Sequence, residues 1–164
     1  DNASLNVRWD DLPPSLQSHY DQANLRQPVR VILDRQQTLT PDLKLFKVDG
    51  EIITVAPNGE LIRELDANQQ LDLSATFKAL SQQHNINHLW VEAGATLASS
   101  LIKQNLVDEL VIYLAPKIMG SDGRGLFGAL GLESMAHVLD LNIQDVRQVG
   151  KDIRIIATLN NKES

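Results

Sequence analysis

The sequence predicts an α/β fold: a mostly parallel central sheet with helices packed on it and a C-terminal antiparallel hairpin. Three observations carry the prediction. Apolar β-branched runs alternate with segments of helical period over the first two thirds of the chain. The run Leu110–Leu114 is apolar on both faces, the pattern of a central strand. Residues 138–149 and 152–159 alternate apolar and polar side chains on either side of Gly150-Lys151, the pattern of a half-exposed antiparallel pair.

The elements follow in order. Residues 10–27 are polar, hold Pro13 and Pro14, and read as an exposed connection with one helical turn. Residues 28–34 cluster β-branched side chains behind an edge proline and read as a strand. A loop follows over 35–40, where Pro41 keeps its predecessor extended. Residues 50–56 form a second strand, closed by the turn signal Pro57-Asn58-Gly59, and 60–70 are ambiguous. A helix starts after Asp72, a plausible N-cap, with Leu73, Phe77 and Leu80 as its apolar stripe and Asn85 and Asn87 at its end.

Residues 88–104 organise the rest. Leu89, Trp90 and Val91 read as a buried strand, Ala93-Gly94-Ala95 as a small-residue turn, and 96–104 as a helix with Leu97, Leu101 and Ile102 on one face. Residues 117–131 then hold five of the nine glycines and read as a long loop before the hairpin.

Composition narrows the function. The chain has 164 residues, one ordinary domain's length, with 43% hydrophobic and 22% charged residues, a globular balance. Aromatic residues are 4%, so the core rests on Leu, Ile and Val. The net charge of −6 disfavours general affinity for nucleic acid or an anionic membrane but leaves room for one local anion site. With no cysteine there is no disulfide, thiolate zinc site or cysteine nucleophile. His19, His84, His88 and His137 make no H-x-x-H or H-E-x-x-H pattern, so no metal site is expected. No apolar run approaches a membrane span and no signal-peptide pattern opens the chain, so a cytoplasmic location is the expectation.

A helix beginning just past a strand end offers unpaired N–H groups to a phosphate, and Gly94 lets the backbone come close. Glu92 at the strand's end suits accepting a hydrogen bond from a ligand. Asp34-Arg35 occupies the matching position after the first strand, where ligands of such sheets bind. There is no G-x-G-x-x-G and no Walker lysine, and strand–turn–helix units also exist merely for packing. Taken alone, Leu5 suits core packing and Arg8 suits a surface pair with Asp10. Asp108 and Glu109 face opposite ways on a strand and suit a corner, and Arg124 suits solvent.

Three stretches together resemble a known family: Ser4-Leu-Asn-Val-Arg8, Leu89-Trp-Val-Glu-Ala-Gly-Ala-Thr-Leu97, and residues 106–122 followed by Gly125-Leu-Phe127. In order, and through residues 146–152, the chain resembles the reductase domain of the bacterial bifunctional riboflavin-biosynthesis proteins of the RibD family. The resemblance implies a dihydrofolate-reductase-like fold, NADPH as cofactor, and reduction of the ribosyl group of 5-amino-6-(5-phosphoribosylamino)uracil to ribityl. It assigns Leu5, Arg8 and Glu92 to substrate, and Asp1, Gly94, Ala95, Thr96, Leu97, Ala98, Ser99 and Ser100 to cofactor. Arg35 stands where the family often has a small polar residue near NADP; a guanidinium there would meet the 2′-phosphate. Arg8 offers a donor fork suited to the ribose phosphate. Glu92 is the nearest candidate for a proton donor.

The resemblance further implies a homodimer, with Leu110–Leu114 and the glycine-rich loop as the place to look, and a zinc deaminase domain in the parent chain. No H-x-E or P-C-x-x-C signature of that domain is present here. The opening Asp1-Asn2-Ala3 carries no initiator Met, and the family's first strand is absent before it, so an N-terminally truncated single reductase domain over 1–164 is expected. Two other readings stay open: a related reductase acting on a pterin, and a folded fragment or assembly module without activity.

Overall fold

The structure is a computed structural model and describes residues 2–160. Asp1, one of the expected cofactor residues, lies outside the described residues. The chain divides between Asn87 and His88 into two compact units.

The first unit holds a parallel sheet of β1 (Arg30–Leu33), β2 (Ile52–Ala56) and β3 (Leu61–Ile62), in that spatial order. Arg30 pairs with Ile52 at one end of β1 and Leu33 with Val55 at the other; Val55 and Ala56 pair with Leu61 and Ile62. Ile53, Val55, Ala56 and Leu61 are buried, as are Leu73 and Leu80 of the helix α2 (Leu73–His84). A one-turn helix, α1 (Pro14–Gln17), lies in the polar N-terminal connection. Helix α2 has the ends expected of it. The Asp72 carboxylate accepts from the Ala75 N–H at 2.8 Å, and Asn85 closes the helix in the left-handed region at φ 55°.

Two contacts shape this sheet. Parallel strands normally need a long crossover, yet β2 and β3 are joined by residues 57–60 alone. Gly59 makes that possible: a Cβ there would sit 2.0 Å from the Thr54 carbonyl oxygen. Arg30, 3% exposed, donates Nη1 to the Leu45 carbonyl at 2.6 Å and Nη2 to the carbonyls of Val48 and Gly50 at 2.8 and 2.9 Å. It ties the chain before β2 to the start of β1.

The second unit holds helix α3 (Ala95–Lys103) and an antiparallel sheet in the order β4–β6–β5, formed by β4 (Leu110–Leu114), β5 (Leu141–Val149) and β6 (Asp152–Leu159). The predicted parallel sheet and C-terminal hairpin are thus both present. Three expectations are corrected. Leu89–Val91 pairs with no strand among the described residues, and Trp90 is 66% exposed. Apolar character gave that run the look of a strand, but a strand needs a ladder partner as well.

Leu110–Leu114 is at the edge of its sheet, not the centre, and Tyr113 and Leu114 are exposed. The central place belongs to β6, whose Ala157 is fully buried. Strand β5 is exposed along nearly its whole length rather than on one face. A bulge explains its mixed pattern. Ile143 pairs with Ala157 and Asp145 with Ile156, leaving Gln144 as the extra residue. The apolar phase shifts across it, from Leu141 and Ile143 to Val146.

Candidate functional site

In the first unit the chain builds a cleft of ≈ 420 Å³ at the carboxyl edge of the parallel sheet, lined by Arg35, Gln36, Pro57, Arg63, Leu65 and Gln69. These residues follow β1, β2 and β3 in turn. The buried Asp34 ends β1 and its carboxylate accepts from the backbone N–H groups of Thr38 and Leu39 at 2.9 and 3.1 Å, fixing the turn from which Arg35 projects. Arg35 Nη1 donates to the Gln69 carbonyl at 2.9 Å. The Arg63 backbone N–H donates to the Ala56 carbonyl at 3.0 Å, so Arg63 leaves the sheet edge at a fixed point. Its Nε is buried without a partner.

Leu5 and Arg8 also belong to the first unit. Leu5 has φ 51°, a left-handed conformation unusual for a bulky side chain. The segment is held from outside: the Gln27 side-chain amide accepts from the Val7 N–H at 2.9 Å and donates to the Val7 carbonyl at 3.0 Å. Beside it, Asn6 Oδ1 is a buried acceptor without a partner. Strain and an unmet acceptor gather in one short loop, a combination typical of functional segments. Arg8 is exposed and pairs with Asp11, not with Asp10.

In the second unit, Glu92 and Gly94 are exposed, and α3 begins at Ala95 with no side-chain cap. The first intrahelical bond runs from the Ala98 N–H to the Gly94 carbonyl at 3.0 Å, which leaves the N–H groups of the first turn pointing out of the helix. A Cβ at Gly94 would meet nothing within 4 Å. Packing therefore does not demand a glycine there, whereas a ligand approaching the backbone would.

Ala95 and Leu97 are half-buried and Thr96 is exposed. Ser99 is buried, and its hydroxyl accepts from the Gly128 N–H at 2.8 Å. Ser100 donates to the Thr96 carbonyl at 3.0 Å. Both hydroxyls are thus engaged within the unit, and Ser99 pins the glycine-rich loop to α3. Asp108, Glu109 and Arg124 are exposed. Among the described residues no group of three His, Cys, Asp or Glu could hold a metal ion, and no helix is long and apolar enough to cross a membrane.

Sequence reasoning found Arg35 but missed Arg63 and Asn6. Arg63 falls in the stretch that read as ambiguous, and pairing of the two-residue β3 is what brings it to the edge. Asn6 lay inside the first recognisable motif, between Leu5 and Arg8.

Fold and site together define an α/β protein with cationic and N–H-rich surfaces suited to phosphorylated ligands. The chain belongs to the RibD C-terminal domain family, whose model matches residues 1–155. It is 39% identical over 162 residues to the riboflavin biosynthesis protein RibD of Escherichia coli, covering 93% of this chain and 44% of that protein. It is 32% identical over 165 residues to a 5-amino-6-(5-phosphoribosylamino)uracil reductase of Buchnera aphidicola, covering 95% of this chain and 79% of that one. Among solved structures, Acinetobacter baumannii RibD superposes with a TM-score of 0.80 at 30% identity, over 98% of this chain and 44% of that chain. The chain thus spans less than half the length of the RibD proteins it matches.

Proposed function

We propose that residues 1–164 form a single NADPH-dependent reductase domain that converts the ribosyl group of 5-amino-6-(5-phosphoribosylamino)uracil to ribityl in riboflavin biosynthesis. The observation that carries this reading is the similarity to the Buchnera reductase, which runs over 79% of that protein's length. The parent chain would add a deaminase domain and act in the cytoplasm. Exposed Tyr113, Leu114, Ile118, Met119 and Leu126 on β4 and the glycine-rich loop support a homodimer formed there.

Each unit carries groups suited to part of such a cofactor. The uncapped start of α3 at Gly94, Ala95 and Thr96 suits its pyrophosphate, with Leu97, Ala98, Ser99 and Ser100 holding that turn in place. Arg35 suits its 2′-phosphate, and Asp1 keeps the cofactor role that the family implies. Bound there, NADPH supplies the hydride. Arg8 exchanges its pair with Asp11 for the substrate phosphate, a charge-assisted bidentate contact. Leu5 sets the substrate's position from its strained backbone. Glu92, exposed just before α3, is the group proposed to deliver a proton to the ring oxygen, which takes up the electron pair as hydride adds to the sugar carbon and the ring opens.

The test is Glu92→Gln, assayed for NADPH oxidation with the uracil substrate and separately for NADPH binding. Turnover should fall about a hundredfold or more while binding stays within about twofold. Full turnover by the variant removes Glu92 from proton transfer. No turnover by the parent chain, or turnover with a pterin instead, contradicts the proposed function.

A further inference from the structure

We propose that Asn58 is a self-modification site: the Gly59 backbone nitrogen attacks its side-chain amide, and the isoaspartyl linkage that results loosens β3 from β2. The inference stands apart from the reductase reading.

Asn58 is the only asparagine in the sequence followed by glycine. A glycine has no Cβ to keep its nitrogen away from the preceding side chain, and its backbone reaches conformations closed to other residues. The turn over 56–59 leaves the pair open to reaction. Asn58 is exposed, and its Nδ2 donates to Gln37 Oε1 at 3.4 Å, a long bond. The Gly59 N–H reaches the Ala56 carbonyl at 3.4 Å, equally long, while the Arg63 N–H holds that same carbonyl at 3.0 Å. The nucleophile is thus weakly held, and the leaving group faces solvent.

The step needs water and nothing else. The Gly59 amide gives its proton to a solvent base, and its nitrogen bonds to Asn58 Cγ. The Cγ–Nδ2 bond breaks, and ammonia leaves with a proton returned from solvent. Water then opens the cyclic imide at one of its two carbonyls, and nothing is oxidised or reduced. Opening at Cγ gives an aspartyl residue. Opening at the main-chain carbonyl leaves the chain running through Cβ and Cγ, which lengthens the backbone by one carbon.

The fold has no slack for that carbon. Residues 57–60 alone join β2 to β3. Glu60 Oε2 accepts from the Thr54 N–H at 2.8 Å, and the Arg63 N–H donates to the Ala56 carbonyl at 3.0 Å, so the chain is tied to β2 just past the pair. Gly59 lies so near Thr54 that a Cβ would sit 2.0 Å from its carbonyl oxygen. A longer path between residues 58 and 59 pushes Gly59 off Thr54 and lifts β3, which breaks both ties.

The experiment ages the 164-residue chain in mildly alkaline buffer and maps its peptides by mass spectrometry, with electron-transfer fragmentation to tell isoaspartyl from aspartyl. Hydrogen exchange reads the Thr54 and Arg63 amides. The peptide holding Asn58 should become one mass unit heavier before any other asparagine peptide does, mostly as isoaspartyl. Asp49-Gly50 and Asp122-Gly123 keep their mass on isomerising, so the gain reports asparagine. In the isoaspartyl fraction both amides should exchange about tenfold faster. Freshly prepared Asn58→Asp carries the same charge on a backbone of ordinary length, and both its amides should stay within about twofold of the parent.

An Asn58 peptide that keeps its mass while an isolated peptide of residues 55–62 converts overturns the inference, because the folded turn then shields the pair. Unchanged exchange in the isoaspartyl fraction, or equally fast exchange in Asn58→Asp, also overturns it, because the longer backbone is then not what frees β3.

Discussion

Gly59→Ala adds one methyl group at the point where the sheet of the first unit is most tightly folded. That carbon would lie 2.0 Å from the Thr54 carbonyl oxygen, 2.9 Å from the Thr54 carbonyl carbon and 3.0 Å from the Ala56 nitrogen. All three are backbone atoms, so no side chain can swing aside. Relief requires the 57–60 connection to lift, and β3 lifts with it. The losses can be followed one at a time. The Arg63 N–H to Ala56 carbonyl bond, 3.0 Å long, contributes about 1 kcal/mol. Partial exposure of Leu61, now 5% exposed, costs about another 1–2 kcal/mol.

Gly59→Ala should therefore destabilise the chain by about 2–3 kcal/mol. Urea denaturation reads this as a lowered midpoint at unchanged slope. A destabilisation below about 0.5 kcal/mol would refute the reasoning that a bare glycine holds this parallel pair together.

Three further outcomes follow from other parts of the molecule. Arg30→Met strands the Leu45, Val48 and Gly50 carbonyls that Arg30 now serves, and should cost about 2–4 kcal/mol in urea denaturation. Ser99→Ala removes the nearer of the two acceptors of the Gly128 N–H and leaves only the Ala95 carbonyl at 3.4 Å, so hydrogen exchange at Gly128 should speed up about tenfold, reporting a loosened glycine-rich loop. Hydrogen bonds from Arg147, and then from Arg154, hold the Asp145 carboxyl at about 2, below its ordinary 3.8. A depressed carboxyl stabilises the folded state above about pH 4, and the contribution is lost as the pH falls through about 2. An acid titration of Asp145→Asn followed by circular dichroism should accordingly lack part of the parent's loss of stability between pH 4 and 2.

Local chemistry was the legible part of this sequence. Asp72 caps α2 because its carboxylate reaches a first-turn N–H, and Asn85 ends the helix because it tolerates φ 55°; both facts reside in a few neighbouring residues. The hairpin was legible from Gly150 and from alternation, yet alternation in β5 said nothing about what covers its faces. Leu89–Val91 and Leu110–Leu114 were misread for a related reason. Apolar composition does not specify how many ladder partners a strand has, and that number depends on distant segments.

The site divides in the same way. Gly94 and the start of α3 were visible as a small-residue turn before a helical period. Arg35 was visible at a strand end. Arg63 was hidden, since its place at the sheet edge exists only once β3 pairs beside β2 through the close approach at Gly59. The strain at Leu5 was hidden as well, because nothing in Ser4-Leu5-Asn6 announces a left-handed leucine braced by the distant Gln27.

The central claim is that this chain holds a reduced phosphorylated dinucleotide beside a sugar phosphate. The most direct measurement is a titration of the chain with NADPH, following nicotinamide fluorescence, with and without ribose 5-phosphate. Saturable binding whose fluorescence responds to the sugar phosphate is the predicted result. A folded chain that leaves the fluorescence of NADPH unchanged at every concentration would contradict the account.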